Sequence, residues 1–356
     1  MISMNNLNNI LDIARSHWKP FIVSAIAIFA VVSIQYLITQ PIRPMISPRF
    51  KVEQFDRIRP KLEKKANTFQ LKKPTNFVPA AYAAEGYNGA SAYGVMDADT
   101  GELLLEKNLS EKVAIASLTK IMTAIVTLDL MDPGEQYVVS EKAAGIPPTK
   151  MGLIVGQSWG RDELLNALML TSANDVAELL KEGADKKYGP GTFMQAMNEK
   201  AKFLKLKSTH FDNPQGFDGR RHYSSVEDLL VLTNYGLNNY PILKEMVAKD
   251  YQFYQATTTH KQADLYNWNG LLGVYPGISG IKIGNTERGG YCTIVISERD
   301  GKRLMAAVLG SPGVLQRDLW AAGLLDNGFN KLAGLKPVNV TEDQLKQKYA
   351  SWKYFE

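Results

Sequence analysis

Segments with strand character occupy both ends of the main body of this chain, and a long helical stretch lies between them. The strand-like stretches are SAYGVMD at 91–97, GELLLEK at 101–107, GISGIKIG at 277–284, GGYCTIVISER at 289–299 and KRLMAAVLG at 302–310. The first two flank a polar turn and the last two meet at Asp300-Gly301, so each pair predicts a β-hairpin. A sheet built from these pieces is assembled from distant parts of the chain, with a helical region inserted between them.

The inserted region, from about Glu135 to Gly273, repeats apolar residues at intervals of three and four, which is typical of amphipathic helices. The clearest segments are RDELLNALML, DVAELLKEGADKKY, TFMQAMNEKAKFLKL and SVEDLLVLTNYGL, and GVLQRDLWAAGLLDNGFNKL closes the body as a further helix. We therefore predict an α/β (α+β) fold in which an antiparallel sheet is flanked by helices. Clefts form where such regions meet.

Residues 20–38 are uncharged and almost continuously apolar, over about the length that a helix needs to cross a bilayer. No small-residue cleavage site follows directly, so we predict an uncleaved transmembrane anchor. Positive-inside counting would leave the main domain in the cytoplasm, but long downstream domains are often translocated regardless of that count. The predicted organisation is a cytoplasmic N-terminus (1–19), the anchor (20–38), a basic linker (39–88), a main domain (89–334) and a C-terminal tail (335–356).

The net charge of +5 is concentrated in the predicted linker. Ten Lys and Arg residues and three Asp and Glu residues lie between Arg43 and Lys73, which is +7, so the other residues sum to about −2. A basic segment beside a membrane span more often contacts anionic lipid head groups than nucleic acid, and a solvated spacer is the alternative. No nucleic-acid partner is predicted.

A serine and a lysine stand three positions apart in AIASLTKIMTAIV, a segment that is otherwise apolar nearly all round. Such a segment indicates a buried helix, and the spacing puts Ser117 and Lys120 on one face within reach of each other. Burial disfavours the charged form of lysine, so a neutral amine can accept the serine proton and generate a nucleophile. The pair alone is a weak pattern, because a lysine whose stem is buried and whose amine reaches solvent fits the same sequence.

Two later stretches add polar groups in an informative order. SANDVAELL places Ser172 and Asn174 at the start of a helix, where both are also ordinary capping residues. GIKIGNT places Lys282 on a strand edged by glycines, which let the backbone of a ligand approach closely.

In this order the motifs resemble those of the serine D-alanyl-D-alanine carboxypeptidases, the low-molecular-mass penicillin-binding proteins with a β-lactamase/transpeptidase-like fold. The resemblance runs from about Ser91 to Leu332. It implies removal of the terminal D-alanine from peptidoglycan stem peptides ending in D-Ala-D-Ala, with β-lactams as inhibitors. It also implies a catalytic domain on the outer side of the cell membrane, tethered by a single N-terminal span.

The resemblance also implies roles for individual residues. The catalytic group would be Ser117 as nucleophile, Lys120 as general base, Ser172 as proton relay and Asn174 as positioning group. The backbone N–H groups of Ser117 and Asn285 would form an oxyanion hole. The substrate-binding group would be Lys282, Ile283, Gly284, Asn285 and Arg317, with Lys282 and Arg317 near the substrate carboxylate.

The sequence departs from the family pattern at two positions. Ala173 replaces a glycine, which adds one methyl group and should be tolerated. Ile283 replaces a threonine whose hydroxyl donates a hydrogen bond to the substrate carboxylate, and losing a hydrogen bond to a charged group costs about 1.5–3 kcal/mol. A non-catalytic peptidoglycan-binding protein of the same fold, or a DD-endopeptidase that cuts cross-links, therefore remain open alternatives.

The chain gives no sign of a cofactor. Its four histidines share no motif with a nucleophilic serine, and the sequence has no HExxH pair, cysteine cluster or phosphate loop, so neither zinc nor nucleotide is predicted. His222 in RRHYSS is interpreted as structural. The only cysteine, Cys292, is predicted to be a small buried strand residue.

Overall fold

The computed structural model describes residues 48–63, 69–73, 87 and 89–352. By its internal contacts the chain divides into two units, Met1–Val52 and Glu53–Glu356. The first unit is described only at residues 48–52, the start of helix α1 (Pro48–Leu62). The sheet, its surrounding helices and the candidate site all belong to the second unit.

A five-stranded antiparallel sheet in the order β2-β1-β9-β8-β7 is the centre of the fold. The strands are β1 (Ala92–Asp97), β2 (Leu103–Lys107), β3 (Gln136–Val138), β4 (Ser158–Gly160), β5 (Tyr251–Tyr254), β6 (Ala263–Tyr266), β7 (Ile278–Thr286), β8 (Gly290–Arg299) and β9 (Lys302–Ser311). Strands β3 and β4 form one separate two-stranded ribbon, and β5 and β6 form another. The prediction that the sheet joins both ends of the main domain is confirmed, because β1 pairs with β9.

Both predicted hairpins are present, β1 with β2 and β8 with β9. At the second turn Asp300 has φ 48° and Gly301 has φ 68°, the left-handed pair that a tight two-residue hairpin requires. Strand β7 lies at the edge of this sheet, where it pairs with β8 on one side.

The remaining helices surround the sheet on both faces. They are α2 (Lys120–Leu130), α3 (Glu141–Gly145), α4 (Arg161–Leu170), α5 (Asn174–Tyr188), α6 (Thr192–Phe203), α7 (Val226–Asn239), α8 (Pro241–Val247), α9 (Val314–Ala333) and α10 (Glu342–Ala350). Every segment with predicted helical periodicity forms a helix, with boundaries within a few residues of the pattern. The insertion between β2 and β7 is therefore mainly helical, as predicted, but it also contains the ribbons β3–β4 and β5–β6, which the periodicity did not indicate.

Alternate residues of β9 enter two different cores, as the two-residue period of a strand requires. Leu304, Ala306 and Val308 pack with α9, while Met305, Ala307 and Leu309 pack with the helical region on the other face. Cys292 on β8 is fully buried in the second of these cores, as predicted. The sheet thus has a core on each face and places β7 beside the 3₁₀ turn Ala116–Thr119.

The predicted linker, residues 39–88, is partly built into the domain. Helix α1 buries Phe55, Ile58 and Leu62 in the large core, which is the one between the sheet and the helical region. The backbone carbonyl oxygen of Leu62 also accepts a hydrogen bond from the buried amine of Lys200. Lys72 pairs through its backbone with the hairpin turn at 101–103. The sequence pattern missed this because the three apolar residues stand among basic ones.

Residues 335–352 of the predicted C-terminal tail are also built into the domain. Helix α10 begins with a capping box formed by Thr341 and Gln344, and it buries Leu345 against α9. Trp352, just beyond the helix, is 4% exposed. This part of the tail therefore belongs to the main domain.

The predicted transmembrane anchor, residues 20–38, lies outside the described residues. Among the helices of the described residues, none combines the length and apolar character that crossing a bilayer requires.

Candidate active site

The candidate nucleophile lies at the junction of a short 3₁₀ turn, Ala116–Thr119, and helix α2. Almost every residue of α2 up to Thr127 is buried, as the apolar sequence predicted. Lys120, the first residue of α2, is 0% exposed, so its ammonium group cannot reach solvent by extending its stem. The alternative of a lysine whose amine is solvated is therefore excluded by the structure.

The amine of Lys120 has three close partners. Its Nζ lies 2.9 Å from Ser117 Oγ, 2.8 Å from Asn174 Oδ1 and 2.6 Å from the backbone oxygen of Gln215. Two of these are carbonyl oxygens, which can only accept hydrogen bonds, whereas the serine hydroxyl can also donate. In the charged state, the three N–H groups of the amine donate to all three oxygens, including Ser117 Oγ. In the neutral state, two N–H groups serve the carbonyl oxygens and the lone pair faces the Ser117 hydroxyl.

Burial lowers the pKa of Lys120 well below its usual value, and the nearby positive charge of Lys282 lowers it further, while Asp175 raises it. Lys282 is itself buried, and burial together with Arg317 lowers its pKa to about 7. The two amines therefore compete for a proton, because a positive charge on one disfavours a positive charge on the other in this buried site. This competition favours the neutral amine at Lys120, which a general base needs.

A cleft of about 320 Å³ opens over this group. Residues from three of the predicted motifs line it, namely Ser117, Ser172, Asn174, Ile283, Gly284 and Asn285. Ser172 has φ 59°, a conformation that a non-glycine residue adopts only when its surroundings impose it. The structure thus gathers six of the predicted site residues around one space.

Asn174 is more than a helix cap. The N-cap position of α5 is Ala173, which has no capping side chain, and the Asn174 side chain instead bonds Lys120 through Oδ1. Its Nδ2 donates to the backbone oxygen of Pro147 at 3.3 Å, and its backbone nitrogen donates to Thr149 at 2.7 Å. Asn174 therefore fixes the base and one wall of the cleft together.

Gly284 brings strand β7 directly against the nucleophile. A β-carbon at Gly284 would lie 2.6 Å from the backbone nitrogen of Ser117, which is closer than real β-carbons approach. Gly216 makes a similar approach from the other side, where a β-carbon would lie 2.0 Å from the backbone oxygen of Ala116. These two glycines let the backbones around Ser117 and Asn285 converge on one point.

The structure places two of the predicted substrate-binding residues outside the lining of the cleft. Lys282 is 1% exposed, and its Nζ donates to the backbone oxygen of Ile283 at 3.1 Å. The other is Arg317. Its guanidinium is 1% exposed, bonds Asp318 through Nε at 2.7 Å and Nη2 at 3.0 Å, and bonds the Tyr349 hydroxyl at 2.7 Å. Burial alone would lower the pKa of Arg317, but the charge of Asp318 and the neighbouring Tyr349 raise it above its usual value. Arg317 lines a neighbouring cavity instead of the Ser117 cleft.

Several supporting residues had no signal in the sequence pattern. Gln215 acts on Lys120 through its backbone oxygen, and its side chain is held by Glu178 at 2.8 Å. Because the backbone oxygen makes this contact, the identity of the side chain at position 215 does not predict it. Trp268, which also lines the cleft, lies between the helical segments that the periodicity identified.

His222, which the sequence pattern predicts to be structural, is buried and contacts Thr119 in the turn that contains Ser117. The backbone N–H of Asp212 donates to His222 Nδ1 at 3.1 Å, so Nε2 carries the proton and donates to Thr119 Oγ1 at 2.7 Å. Thr119 in turn donates to the backbone oxygen of Ala116 at 2.9 Å. Burial lowers the pKa of His222 to about 4, so the ring is neutral near pH 7. This chain of hydrogen bonds joins both ends of the 3₁₀ turn that contains Ser117.

Comparison with known proteins agrees with this geometry. Residues 80–313 match the D-alanyl-D-alanine carboxypeptidase family, peptidase S11. The chain belongs to this family. D-alanyl-D-alanine carboxypeptidase DacF of Bacillus subtilis (strain 168) is 30% identical over 297 residues, which cover 79% of this chain and 75% of that protein.

Solved structures of family members share the fold. The D-alanyl-D-alanine carboxypeptidase DacD of Francisella tularensis is 26% identical with a TM-score of 0.61, and the match covers 67% of this chain and 70% of that one. A Streptomyces DD-transpeptidase is 28% identical with a TM-score of 0.63, covering 68% of this chain and 97% of that one. The family predicted from the motifs is confirmed, and membership makes the chain a serine-type carboxypeptidase.

Proposed function

We propose that the chain removes the terminal D-alanine from peptidoglycan stem peptides through an acyl-enzyme on Ser117. The observation that supports this is the set of three partners around Lys120 Nζ, which leaves the lone pair of the neutral amine facing the Ser117 hydroxyl. A binding protein without turnover needs no buried base beside a serine. This geometry therefore favours the enzyme over the non-catalytic alternative.

In the acylation step, Ser117 Oγ attacks the carbonyl carbon of the penultimate D-alanine while its proton moves to Lys120 Nζ. The carbonyl electrons move to the oxygen, which the N–H groups of Ser117 and Asn285 stabilise, at about 3–4 kcal/mol per donor. When the tetrahedral species collapses, the C–N bond breaks. Lys120 then returns its proton, through Ser172, to the nitrogen of the departing D-alanine.

In the deacylation step, water loses a proton to Lys120 and attacks the ester carbon from the same side. The bond from carbon to Ser117 Oγ breaks, and Oγ regains its proton from Lys120. The products are a shortened peptide, free D-alanine and the starting enzyme. Lys282 would bind the terminal carboxylate during the first step. The negative charge of that carboxylate would keep the Lys282 amine protonated.

The test uses the full-length chain in detergent, exposed to benzylpenicillin and weighed by intact mass spectrometry, with Ser117→Ala as the matched control. We expect one adduct on the parent and none on the variant. D-alanine release from a peptide ending in D-Ala-D-Ala is then measured for both proteins. If the parent neither forms the adduct nor releases D-alanine, the proposed function is wrong.

A DD-endopeptidase would use the same chemistry on cross-linked peptides. Incubation of cross-linked muropeptides with the protein, followed by chromatography, separates the two activities. We expect dimers to remain uncut while monomeric pentapeptides lose one alanine. Loss of the dimers would identify an endopeptidase.

We also propose that residues 20–38 anchor the protein in the cell membrane by one span, with the catalytic domain on the outer side. The apolar sequence of that segment and the location of peptidoglycan support this arrangement. Protease added to intact spheroplasts should digest the domain. A domain that stays undigested until the membrane is opened would contradict the proposed orientation.

A further inference from the structure

A second cavity opens directly beside the catalytic cleft. It has a volume of about 500 Å³, and it shares Trp268, Ile283 and Asn285 with the cleft that contains Ser117. Its other walls come from the start of α9 at Val314 and from the C-terminal segment at Ala350 and Trp352. The two spaces are therefore neighbours, and these three residues line both of them.

The lining of this cavity is mainly apolar, and its one cation is already balanced. The guanidinium of Arg317 is bound by Asp318 through two nitrogens and by the Tyr349 hydroxyl, which also donates to Asp318. Gly270 closes over this group, since a β-carbon there would lie 2.4 Å from Asp318 Oδ2 and 2.6 Å from Tyr349 Oη. Arg317 is thus committed to the structure of the wall.

The cavity adjoins the place where the leaving residue of the substrate must lie. The attacked carbonyl sits at Ser117 and Asn285, and Lys282 would hold the carboxylate one residue further on. Ile283 and Asn285 line both spaces, so a peptide whose carbonyl sits at Asn285 brings its next residue, about 3.3 Å further along, to Ile283. Ile283 is also the apolar residue at the entrance to the cavity.

We propose that this cavity is a subsite for a bulky apolar side chain on the leaving residue. The substrate class is a stem peptide ending in D-alanyl-D-Xaa, where Xaa is an apolar D-amino acid of about the size of leucine. This inference rests on the proposed function. A D-alanine methyl group would leave most of the cavity empty, whereas a leucine side chain adds three carbons that Ile283, Val314 and Trp352 can bury.

The size of the effect follows from the area buried. Each buried methylene contributes about 0.8 kcal/mol, which is about fourfold in kcat/KM if it is fully buried in the transition state. Three carbons give up to about sixtyfold. Because the cavity is open on one side, we expect the preference for D-leucine over D-alanine to be at least tenfold.

The experiment compares two peptides that are identical except for the last residue, acyl-L-Lys-D-Ala-D-Ala and acyl-L-Lys-D-Ala-D-Leu. The full-length chain in detergent is used, and the released amino acid is quantified by mass spectrometry to give kcat/KM for each. Ala350→Trp places a large side chain at the mouth of the cavity from an exposed helix position. Gln347→Trp adds the same side chain to an exposed position of α10 that does not line the cavity.

We expect the parent and Gln347→Trp to prefer D-leucine at least tenfold, and Ala350→Trp to lose most of that preference. Acylation of Ser117 by benzylpenicillin in each variant shows that the fold is retained. Release of D-alanine without any preference for D-leucine overturns the subsite and leaves the proposed function intact. Release of neither residue, with Ser117 unlabelled, overturns the proposed function and the subsite together.

Discussion

Gly284 on strand β7 lies so close to Ser117 that a β-carbon on it would be 2.6 Å from the serine backbone nitrogen. The two residues come from opposite ends of the main domain, and the pairing of β7 with β8 and the packing of both strands on the 3₁₀ turn keep them together. A side chain at position 284 must push β7 away from the nitrogen that would stabilise the oxyanion. The rate of the reaction should therefore depend on the absence of a β-carbon at position 284.

Gly284→Ala should lower kcat/KM for D-alanine release by about 10²–10³-fold, the loss seen when one oxyanion-hole donor is removed. Steady-state kinetics with a D-Ala-D-Ala peptide measures this. Gly145→Ala is the matched control, because nothing lies within 4 Å of the added carbon, and its kinetics should equal those of the parent. Equal rates for the parent and Gly284→Ala would contradict the placement of the oxyanion hole.

The pH dependence should report on Lys282, whose pKa is lowered to about 7 by burial and by Arg317. A lysine is charged below its pKa, so its attraction for the substrate carboxylate is present below about pH 7 and is lost as the pH rises through that value. We expect kcat/KM for D-Ala-D-Ala peptides, which reports the free enzyme, to fall above about pH 7.

Lys282→Arg provides the control for that profile. A guanidinium keeps its charge throughout the accessible range, so the alkaline fall should disappear even if the absolute rate drops. The same pH series is measured on both proteins with one substrate. An unchanged alkaline limb in Lys282→Arg would show that another group titrates there.

Ile283→Thr should raise kcat/KM for D-Ala-D-Ala peptides, and the rate of acylation by benzylpenicillin, by about ten- to a hundredfold. The new hydroxyl can donate a hydrogen bond to the carboxylate, worth about 1.5–3 kcal/mol. Ile283→Val has nearly the same shape as the threonine variant and lacks the hydroxyl, so its rate should stay near that of the parent. A similar increase in both variants would show that size at this position matters instead of the hydrogen bond.

Helix α1 should contribute to the stability of the domain. Ile58 is 1% exposed in the large core, so Ile58→Ala should lower the free energy of unfolding by about 2–5 kcal/mol. Arg57→Ala changes the adjacent exposed residue and should stay within about 0.5 kcal/mol of the parent. Urea unfolding monitored by circular dichroism measures both, and equal midpoints would mean that α1 is not packed on the core.

The sequence was informative wherever a local period or a turn carried the structure. The hairpin at Asp300-Gly301 follows from two residues that tolerate the left-handed conformation, and helices such as α4 and α7 follow from apolar residues at intervals of three and four. The pairing of Ser117 with Lys120 follows from helical spacing. These features depend on neighbours in sequence, so they can be inferred without the tertiary structure.

Features that depend on a distant partner could not be inferred in this way. The positive charge of Arg317 could be read from the sequence. Its hydrogen bonds to Asp318 and Tyr349, which keep it away from the cleft, could not. The packing of α1 depends on a core built from later parts of the chain. The C-terminal helix did have a local signal in Thr341 and Gln344, a capping box that marks a helix start.

The sheet that joins both ends of the main domain also sets the order of events during synthesis. Ser117 and Lys120 are synthesised early, but strands β7, β8 and β9, which hold Asn285 near them, follow only after the whole helical region. Until β9 is synthesised, β1 can pair only with β2. The central position of the sheet, which β9 fills, is therefore empty for most of translation. Chains that end before β9 therefore contain the nucleophile and its base but no working peptidase, and activity appears only with the final part of the domain.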